Sequence, residues 1–561
     1  MTTNPTNKHY TIGVDYGTGS GRALLVDTRD GREVASAVHV YANGVIDEHL
    51  PDNDRPLPPD WALQDPQDYI EVLKNTVPAV LQQSGVDPQE VAGIGIDFTA
   101  CTMLPTLHDG TPLCFVPQWR VQPHAWVKLW KHHAAQPQAD RINAVARERG
   151  ESWLGRYGGK ISSEWFFSKA LQILEEAPDV YDAAERFIEA ADWIVWQMTD
   201  VETRNACTAG YKAMVQDGHF PSADYFGALD PRFADVIDSR MSRQFAQLGT
   251  SAGTLTERAA HWMGLPPGIT VAIANVDAHV TVPAVQVTTP GHMVMVMGTS
   301  TCHMLISDTL QVAEGMCGVV QGGIIPGYYG YEAGQSGVGD IFAWFVDHAV
   351  PPEYHEAARV ANMDLHQYLE TEAAKQRPGE SGLLALDWWN GNRSTLVDAD
   401  LTGLLIGATL ATRAPEIYRA MIEATAYGTR TIIEAFEERG LAIHDLVLAG
   451  GLPEKNRLLV QIYADVCGRP ILLAGSSQAP ALGSAMHAAV AAGLYADIGA
   501  AAHAMGKIKE ETIYPIPANQ AVYDRLYAEY RTLYDYFGRG QNDVMKRLKQ
   551  IKYAARQVTA E

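Results

Sequence analysis

The stretch that decides the fold is IGVDYGTGSGRALLVD, residues 12–27. Two alternating apolar runs flank a small glycine-rich turn, a pattern that predicts a β-hairpin. Asp15 ends the first run, where a carboxylate can orient a hydrated cation. The tip has little bulk, so its backbone N–H groups are open to an anion. The hairpin is therefore predicted to bind phosphate and a metal ion, with the phosphate at Gly17, Thr18, Gly19 and Ser20.

The same pattern returns in HMVMVMGTSTCHMLIS, residues 292–307. Again an apolar run leads to a small tip, here starting at Gly298 and Thr299, and a second apolar run follows, but this copy carries no acid. A single hairpin of this kind is more often an ordinary turn than a phosphate site, so the prediction depends on the two copies together. The repeat indicates a duplicated domain in which two hairpins hold one polyphosphate.

Length and composition limit the classes of protein. At 561 residues the chain exceeds what a single core usually organises, so two large domains are expected. A formal net charge of −23 argues against a nucleic-acid partner, which needs clustered Lys and Arg. The six cysteines are scattered, the first residues lack a signal-peptide pattern, and no apolar run is long enough to cross a membrane. A cytoplasmic protein without membrane contact is expected.

Three further segments have residues suited to a ligand cleft. The apolar run ITVAIANV ends at Asp277, which is either a candidate general base at the end of a strand or a helix cap. Lys212 lies among small residues and is either a cleft cation or an ordinary solvated charge. The strand LVLAGG ends in Gly450 and Gly451, whose bare backbone permits a flat base to lie on it. A third buried strand, VAGIGID, also ends in an acid, and the backbone at Ala100 follows it.

Helical spacing predicts several other elements. Residues 119–149 are expected to form one polar helix whose neighbouring His132 and His133 lie on a solvated face. Residues 155–200 are expected to form two helices separated near Pro178. Residues from 518 onward are expected to form a docked amphipathic helix with a buried stripe of Val522, Leu526, Tyr530, Leu533 and Phe537. The basic residues at 546–556 are expected on a solvated helix face.

The paired hairpins resemble those of the sugar kinase, Hsp70 and actin superfamily and, within it, the FGGY family of carbohydrate kinases, from about Tyr10 to about Tyr495. The resemblance implies an α/β fold of two actin-like (ribonuclease H-like) domains with ATP and a sugar in the cleft between them. We expect an N-terminal domain over residues 1–283, a C-terminal domain over 284–500 and a helical tail over 501–561. ATP and Mg²⁺ are the implied cofactors, with the metal at Asp15.

Within the family, four segments resemble the ribulokinase branch: YGGKISSEWF, AGYKAM, EAGQS and DWWNGNR. The broader family pattern has a Pro-Lys step followed by tryptophan, whereas this chain has Ser168-Lys169 followed by Leu171, which weakens a glycerol or xylulose kinase assignment. The resemblance implies phosphorylation of L-ribulose to L-ribulose 5-phosphate in L-arabinose catabolism. It makes Asp277 the base and adds Asn456 to the adenosine site, with the sugar bound by Ala100, Lys212, Asp277 and Glu332.

Two alternatives stay open. Another pentulose or polyol kinase is one, because hydroxyl stereochemistry cannot be read from a sequence. An ATP-driven chaperone or filament protein of the same superfamily is the other, but it does not explain Asp277, Lys212 and Glu332 together. Relatives suggest a homodimer, and no nucleic acid or membrane partner is expected.

Overall fold

The computed structural model describes residues 9–557 except 52 and 54. The strands are β1 (Tyr10–Tyr16), β2 (Ser20–Asp27), β3 (Arg32–Val40), β4 (Leu63–Gln64), β5 (Val91–Phe98), β6 (Met103–Thr106), β7 (Val127–Lys128), β8 (Arg186–Glu189), β9 (Ser251–Thr254), β10 (Thr270–Ala272), β11 (Asn275–Val276), β12 (His292–Met297), β13 (Thr301–Ser307), β14 (Gly318–Gln321), β15 (Tyr329–Gln335), β16 (Leu384–Leu386), β17 (Leu404–Ile406), β18 (Asp445–Ala449), β19 (Ile471–Ala474) and β20 (Ile508–Ile513).

The α-helices are α1 (Pro66–Ser84), α2 (Gln136–Arg149), α3 (Phe166–Glu176), α4 (Pro178–Ala183), α5 (Ala190–Thr199), α6 (Ala206–Lys212), α7 (Ala223–Leu229), α8 (Val236–Arg240), α9 (Glu257–Met263), α10 (Asp277–Ala284), α11 (Gly339–His348), α12 (Pro352–Val360), α13 (Leu365–Ala373), α14 (Ala414–Glu437), α15 (Gly451–Lys455), α16 (Arg457–Cys467), α17 (Ala479–Ala491), α18 (Ile498–Met505), α19 (Pro517–Gly538) and α20 (Val544–Gln557). Short 3₁₀ helices cover Pro88–Glu90, Leu113–Phe115, Pro123–Ala125, Ser152–Tyr157 and Pro231–Phe233.

Two large mixed sheets share the topology of their five central strands. The first has the order β3-β2-β1-β5-β10-β9, with β11 also paired to β5, and the second has the order β14-β15-β13-β12-β18-β19-β20. In each, an antiparallel hairpin (β1 with β2, β12 with β13) is followed on one side by a parallel pair of strands (β5 and β10, β18 and β19). The predicted duplication and the two hairpins are therefore confirmed. A four-stranded sheet, β4-β7-β6-β8, and the pair β16-β17 are additions to this plan.

Two helices join the sheets. Helix α10 leaves the first sheet after β11 but packs on β12 and β13, whereas α17 leaves the second sheet after β19 but packs on β1 and β5. The two helices also pack against each other, and one hydrophobic cluster contains residues of β2, α10, β12 and α17. Each half of the chain thus covers apolar surface of the other, so the ends of both hairpins are set relative to one another by this packing.

Glycines in β1 and β5 permit α17 to approach closely. A Cβ at Gly13 would lie 1.8 Å from the Ala481 carbonyl oxygen, and one at Gly95 would lie 2.0 Å from the Ser484 carbonyl oxygen. Both obstacles are backbone atoms of a helix, which cannot rotate away as a side chain can. The glycines of VAGIGID are therefore explained by helix-to-sheet packing.

Several helical predictions were wrong in detail. The helix expected over 119–149 begins only at α2, and His132 is fully buried, with Nδ1 accepting from the Ala62 N–H and Nε2 donating to Gln172. The segment 155–200 contains α3, α4 and α5 with strand β8 between them, because β8 pairs with β6. Helix α19 docks as expected, but its most buried stripe is Tyr523, Tyr527, Tyr530 and Tyr534.

Tyrosines take that stripe because their hydroxyl groups find buried partners, such as Asp387 for Tyr530. On the last helix, Lys546 and Lys549 form ion pairs with Asp398 and Asp400, so part of the basic face contacts the protein. Among the described residues, no helix combines the length and the hydropathy that a membrane crossing requires.

We expect Gly95→Ala to lower the free energy of unfolding by at least about 1–3 kcal/mol, because the methyl group forces α17 away from β5. Thermal melting of the purified protein measures the effect. Gly155→Ala is the matched control, since its Cβ would meet only a Val312 methyl at 3.5 Å. Equal melting temperatures for the two variants would contradict the close packing of α17.

Candidate functional site

Three carboxylates meet where the strands of the first sheet end. Asp15 on β1 lies opposite Asp97 on β5 in the parallel register, and Asn275 on β11 lies opposite Asp97 on its other side. Asp277 follows β11 directly as the first residue of α10. Since parallel strands end at the same edge of a sheet, the chain brings these acids together there.

Asp15 is mostly buried, and its Oδ2 lies 3.3 Å from the Arg22 Nε on the second strand of the hairpin. Burial raises the pKa of Asp15, and Arg22 partly offsets this rise. The position matches the prediction: a carboxylate at the strand end, beside the glycine-rich tip.

Asp97 was not predicted as a site residue. It is fully buried, and its Oδ2 accepts a hydrogen bond from the Ser484 hydroxyl of α17 at 2.6 Å. Desolvation and the nearby Asp15 carboxylate raise the pKa of Asp97 well above its ordinary value. The signal in the sequence was the acid ending VAGIGID, which reads equally well as the end of a buried strand. Through Ser484, Asp97 ties the acid cluster to the helix that joins the two sheets.

Asp277 is the group best suited to exchange a proton. Its Oδ1 accepts from the Ala278 N–H at 2.7 Å, and the helix cap position belongs to Val276. Desolvation by burial, followed by repulsion from Asp15, raises the pKa of Asp277 to about 7. A carboxylate with a pKa close to neutral is efficient as a general base.

The first hairpin tip is braced from outside. The Thr18 carbonyl oxygen accepts from the Gln64 side chain at 2.7 Å, and its hydroxyl accepts from the Trp130 indole at 3.0 Å. The Gly17 N–H bonds to the Ser20 carbonyl, which closes the turn, and Gly19 is exposed. The tip is thus held rigidly and open to a ligand.

The second tip is braced by the loop before α11. The carbonyl groups of Gly298 and Thr299 accept from the backbone N–H groups of Gly339 and Val338, at 3.0 and 2.8 Å. Both tip residues are exposed. Each tip thus joins two antiparallel strands, has exposed residues and is held by contacts from outside its hairpin.

The predicted adenosine residues lie close to the second hairpin. Gly450 has a φ of +96°, and a Cβ there would lie 2.4 Å from the Met297 carbonyl oxygen, so this position favours glycine. Gly451 is exposed, with open space where a side chain would be. Asn456 caps α16, because its side-chain oxygen accepts from the Leu459 N–H at 2.7 Å. The Asn456 side chain also has a hydrogen bond with Tyr418.

Lys212 and Glu332 form a buried ion pair between the two halves of the chain. The Lys212 Nζ lies 2.7 Å from Glu332 Oε1, and His279 Nε2 lies 3.2 Å from Glu332 Oε2. Burial alone would raise the pKa of Glu332, but Lys212 and His279 outweigh it and hold that pKa well below its ordinary value. Cys207 Sγ lies 2.9 Å from His279 Nδ1. Both pair residues are thus charged and fixed in place.

Ala100 lies in a partly exposed loop directly after β5. The next residue, Cys101, has a φ of +65°, an unfavourable conformation for a residue with a side chain. The buried Lys169 ammonium stabilises it by donating to the carbonyl groups of Cys101 and Leu129, at 2.6 and 2.7 Å. Lys169 was not predicted to have this part, although it occupies the lysine position of the family pattern.

Comparison with known proteins agrees with this geometry. The family model "FGGY family of carbohydrate kinases, N-terminal domain" matches residues 10–283, and the corresponding C-terminal domain model matches residues 293–492. A ribulokinase from Anoxybacillus flavithermus is 59% identical over 98% of both chains, and one from Mycolicibacterium smegmatis is 53% identical over 98% of both.

Among solved structures, a xylulose kinase from Lactobacillus acidophilus superimposes with a TM-score of 0.76 at 17% identity, covering 94% of this chain and 98% of its own. At that identity the likeness shows the fold alone. Two matching domain models and full-length relatives above 50% identity show more. This chain belongs to the FGGY family of carbohydrate kinases.

Proposed function

We propose that this kinase transfers the γ-phosphoryl group of ATP to L-ribulose and forms L-ribulose 5-phosphate in L-arabinose catabolism. The observation that carries the proposal is the buried Lys212–Glu332 pair beside Asp277, together with relatives whose name is ribulokinase. A buried pair of fixed charge can select among hydroxyl groups, because a wrong epimer leaves hydrogen-bonding groups of the pair without a substrate partner. An ATP-driven chaperone or filament protein would have no use for such a pair.

In the proposed arrangement, each predicted residue has one part. The hairpin tips, Gly17 to Ser20 and Gly298 to Thr299, bind the β- and γ-phosphates through N–H groups other than those of Gly17 and Gly298, which close the two turns. Gly450, Gly451 and the Asn456 amide line the adenosine. Ala100, Lys212 and Glu332 bind sugar oxygens away from the reacting hydroxyl. Phosphoryl transfer passes through a loose transition state, so positioning and charge neutralisation provide most of the catalysis.

Asp277 would accept the proton of the sugar hydroxyl as that oxygen bonds to phosphorus. Above about pH 7 its carboxylate is ionised and ready, and below that pH it is protonated and inactive. The residues also fit Mg²⁺ at Asp15, because Mg²⁺ prefers one or two carboxylates with water and phosphate as its other ligands. When bound, the metal would neutralise charge on the phosphates.

We also propose the domain boundaries 1–283, 284–500 and 501–561. The support is that the family models end and begin near the first boundary and that the C-terminal model ends at residue 492, near the second. Strand β20 lies within 501–561 but pairs with β19, so the proposed tail also supplies the edge strand of the second sheet. The six cysteines are unpaired, which supports a reducing, cytoplasmic location. A homodimer stays part of the proposal.

The substrate is tested with a panel of ketopentoses and polyols in a coupled ADP-release assay. We expect a higher kcat/KM for L-ribulose than for D-xylulose or glycerol. In the double variant Lys212→Met with Glu332→Gln, the difference in kcat/KM between L-ribulose and the other two substrates should become smaller, because the charged partners of the hydroxyl groups are gone. The double change avoids leaving one buried charge alone. Equal or better use of glycerol or D-xylulose by the unaltered enzyme would refute L-ribulose as the substrate.

Asp277→Asn tests the base. We expect kcat to fall by about 10²–10⁴-fold while sugar and ATP binding, measured by calorimetry, stay within a few-fold, since the amide keeps the size and removes the base. A turnover of Asp277→Asn within tenfold of the parent would place the base elsewhere.

In the unaltered enzyme, kcat/KM for the sugar should fall about tenfold per pH unit below an apparent pKa near 7.

A further inference from the structure

A second ion pair joins the two halves near Lys212 and Glu332. Arg393, in the loop after β16, directs its Nη2 to Glu164 Oε1 at 3.4 Å, and both side chains are mostly buried, at 21% and 16% exposure. Lys212 and Glu164 come from the first half of the chain, whereas Glu332 and Arg393 come from the second. The first half of the chain thus supplies the cation of one pair and the anion of the other.

Arg393 lies on the same face of β15 as Glu332. Alternate strand residues share a face, so Gly334 points to the side of Glu332. A Cβ at Gly334 would lie 3.0 Å from Arg393 Cδ and 3.4 Å from Arg393 Nη1. The absence of a side chain at position 334 therefore makes room for the arginine beside β15.

The backbone around Arg393 is held from several sides. The Ser394 hydroxyl accepts from the Gly334 N–H at 3.2 Å, and the Thr395 hydroxyl lies 2.9 Å from that of Tyr534 in α19. The Lys160 ammonium donates to the Val397 carbonyl at 2.6 Å. These contacts hold the chain around Arg393 in place and do not involve its guanidinium group.

The guanidinium itself is under-used. It carries five N–H donors and no acceptor, yet its one hydrogen bond within the described residues is the contact with Glu164. At 3.4 Å this contact is longer than the 2.7–2.9 Å usual for charged partners. A mostly buried cation with free donors, beside a pair proposed to bind sugar, is suited to donate hydrogen bonds to ligand oxygens.

We propose that Arg393 is a substrate-binding, specificity-determining residue that donates two hydrogen bonds to the ketone oxygen and a neighbouring hydroxyl of a ketose. The inference rests on the proposed function of the site. A carbonyl oxygen only accepts hydrogen bonds, and the planar fork of arginine offers two parallel donors to adjacent acceptors. A pentitol places a hydroxyl where the ketose has the carbonyl, and that hydroxyl carries a proton for which an arginine offers no acceptor. Arg393 therefore favours the ketose over its pentitol.

The test compares L-ribulose with ribitol, its C2-reduced counterpart, in the ADP-release assay. For Arg393→Met we expect kcat/KM for L-ribulose to fall at least about tenfold more than kcat/KM for ribitol, with the KM for ATP unchanged. Arg393→Lys should behave similarly, because it keeps the charge but loses the fork. Arg377→Met, at a highly exposed arginine, is the matched control and should change neither value.

A second variant reaches the same residue without replacing it. Gly334→Ala places a methyl group against Arg393 Cδ and should shift the ketose-to-pentitol ratio in the same direction. If Arg393→Met fails to melt cooperatively, Arg393→Lys and Gly334→Ala decide the question. If kcat/KM falls by the same factor for L-ribulose and ribitol, the arginine only holds the halves together. That result, or no change in either value, would overturn the proposal.

Failure of the proposed function is distinguishable from failure of this inference. If the unaltered enzyme prefers another ketopentose, L-ribulose is wrong as substrate, and the comparison is made with that ketose and its pentitol. If the unaltered enzyme prefers a polyol to every ketose, the assignment of Arg393 to a carbonyl is overturned.

Discussion

The structure depends on the close packing of α17 against the first sheet. Helix backbone lies almost on strand backbone at Gly13 and Gly95, at distances that exclude any side chain. Because α17 comes from the second half of the chain, this contact fixes the two sheets relative to each other. The Ser484 hydroxyl extends the contact to Asp97 and so to the carboxylates at the strand ends. The geometry of the acid cluster is therefore set by packing between the halves.

The charged groups of the candidate site are mostly buried. Two ion pairs, Lys212–Glu332 and Arg393–Glu164, cross between the halves. Burial raises the pKa values of Asp15, Asp97 and Asp277, and repulsion from Asp15 adds to the rise at Asp97 and Asp277. Burying charges is expensive unless each finds a partner, so such a site is retained for what it binds and not for stability. A kinase needs this arrangement because its substrates bring both phosphate charge and sugar hydroxyl groups.

Much of this could be predicted from local patterns. Both hairpins, the strand before Asp277 and the glycines after β18 depend on residues adjacent in sequence, and the repeat linked the distant copies. The misses came from tertiary context. His132 is buried because Ala62 and Gln172 are brought to it, β8 exists because β6 pairs with it, and the tail buries tyrosines because their hydroxyl groups meet partners such as Asp387. Asp97 and Arg393 could not be identified from local patterns, because each contacts a residue of the other half of the chain.

We propose that both hairpins hold one triphosphate in line with a sugar hydroxyl at Asp277. The most direct test is a crystal structure of the enzyme with a non-hydrolysable ATP analogue, Mg²⁺ and L-ribulose. We expect β- and γ-phosphate oxygens within hydrogen-bond distance of both tips, Gly17 to Ser20 and Gly298 to Thr299, and a sugar hydroxyl within about 3.2 Å of the Asp277 carboxylate. Phosphates bound by one hairpin alone, or a reacting hydroxyl facing another base, would contradict it.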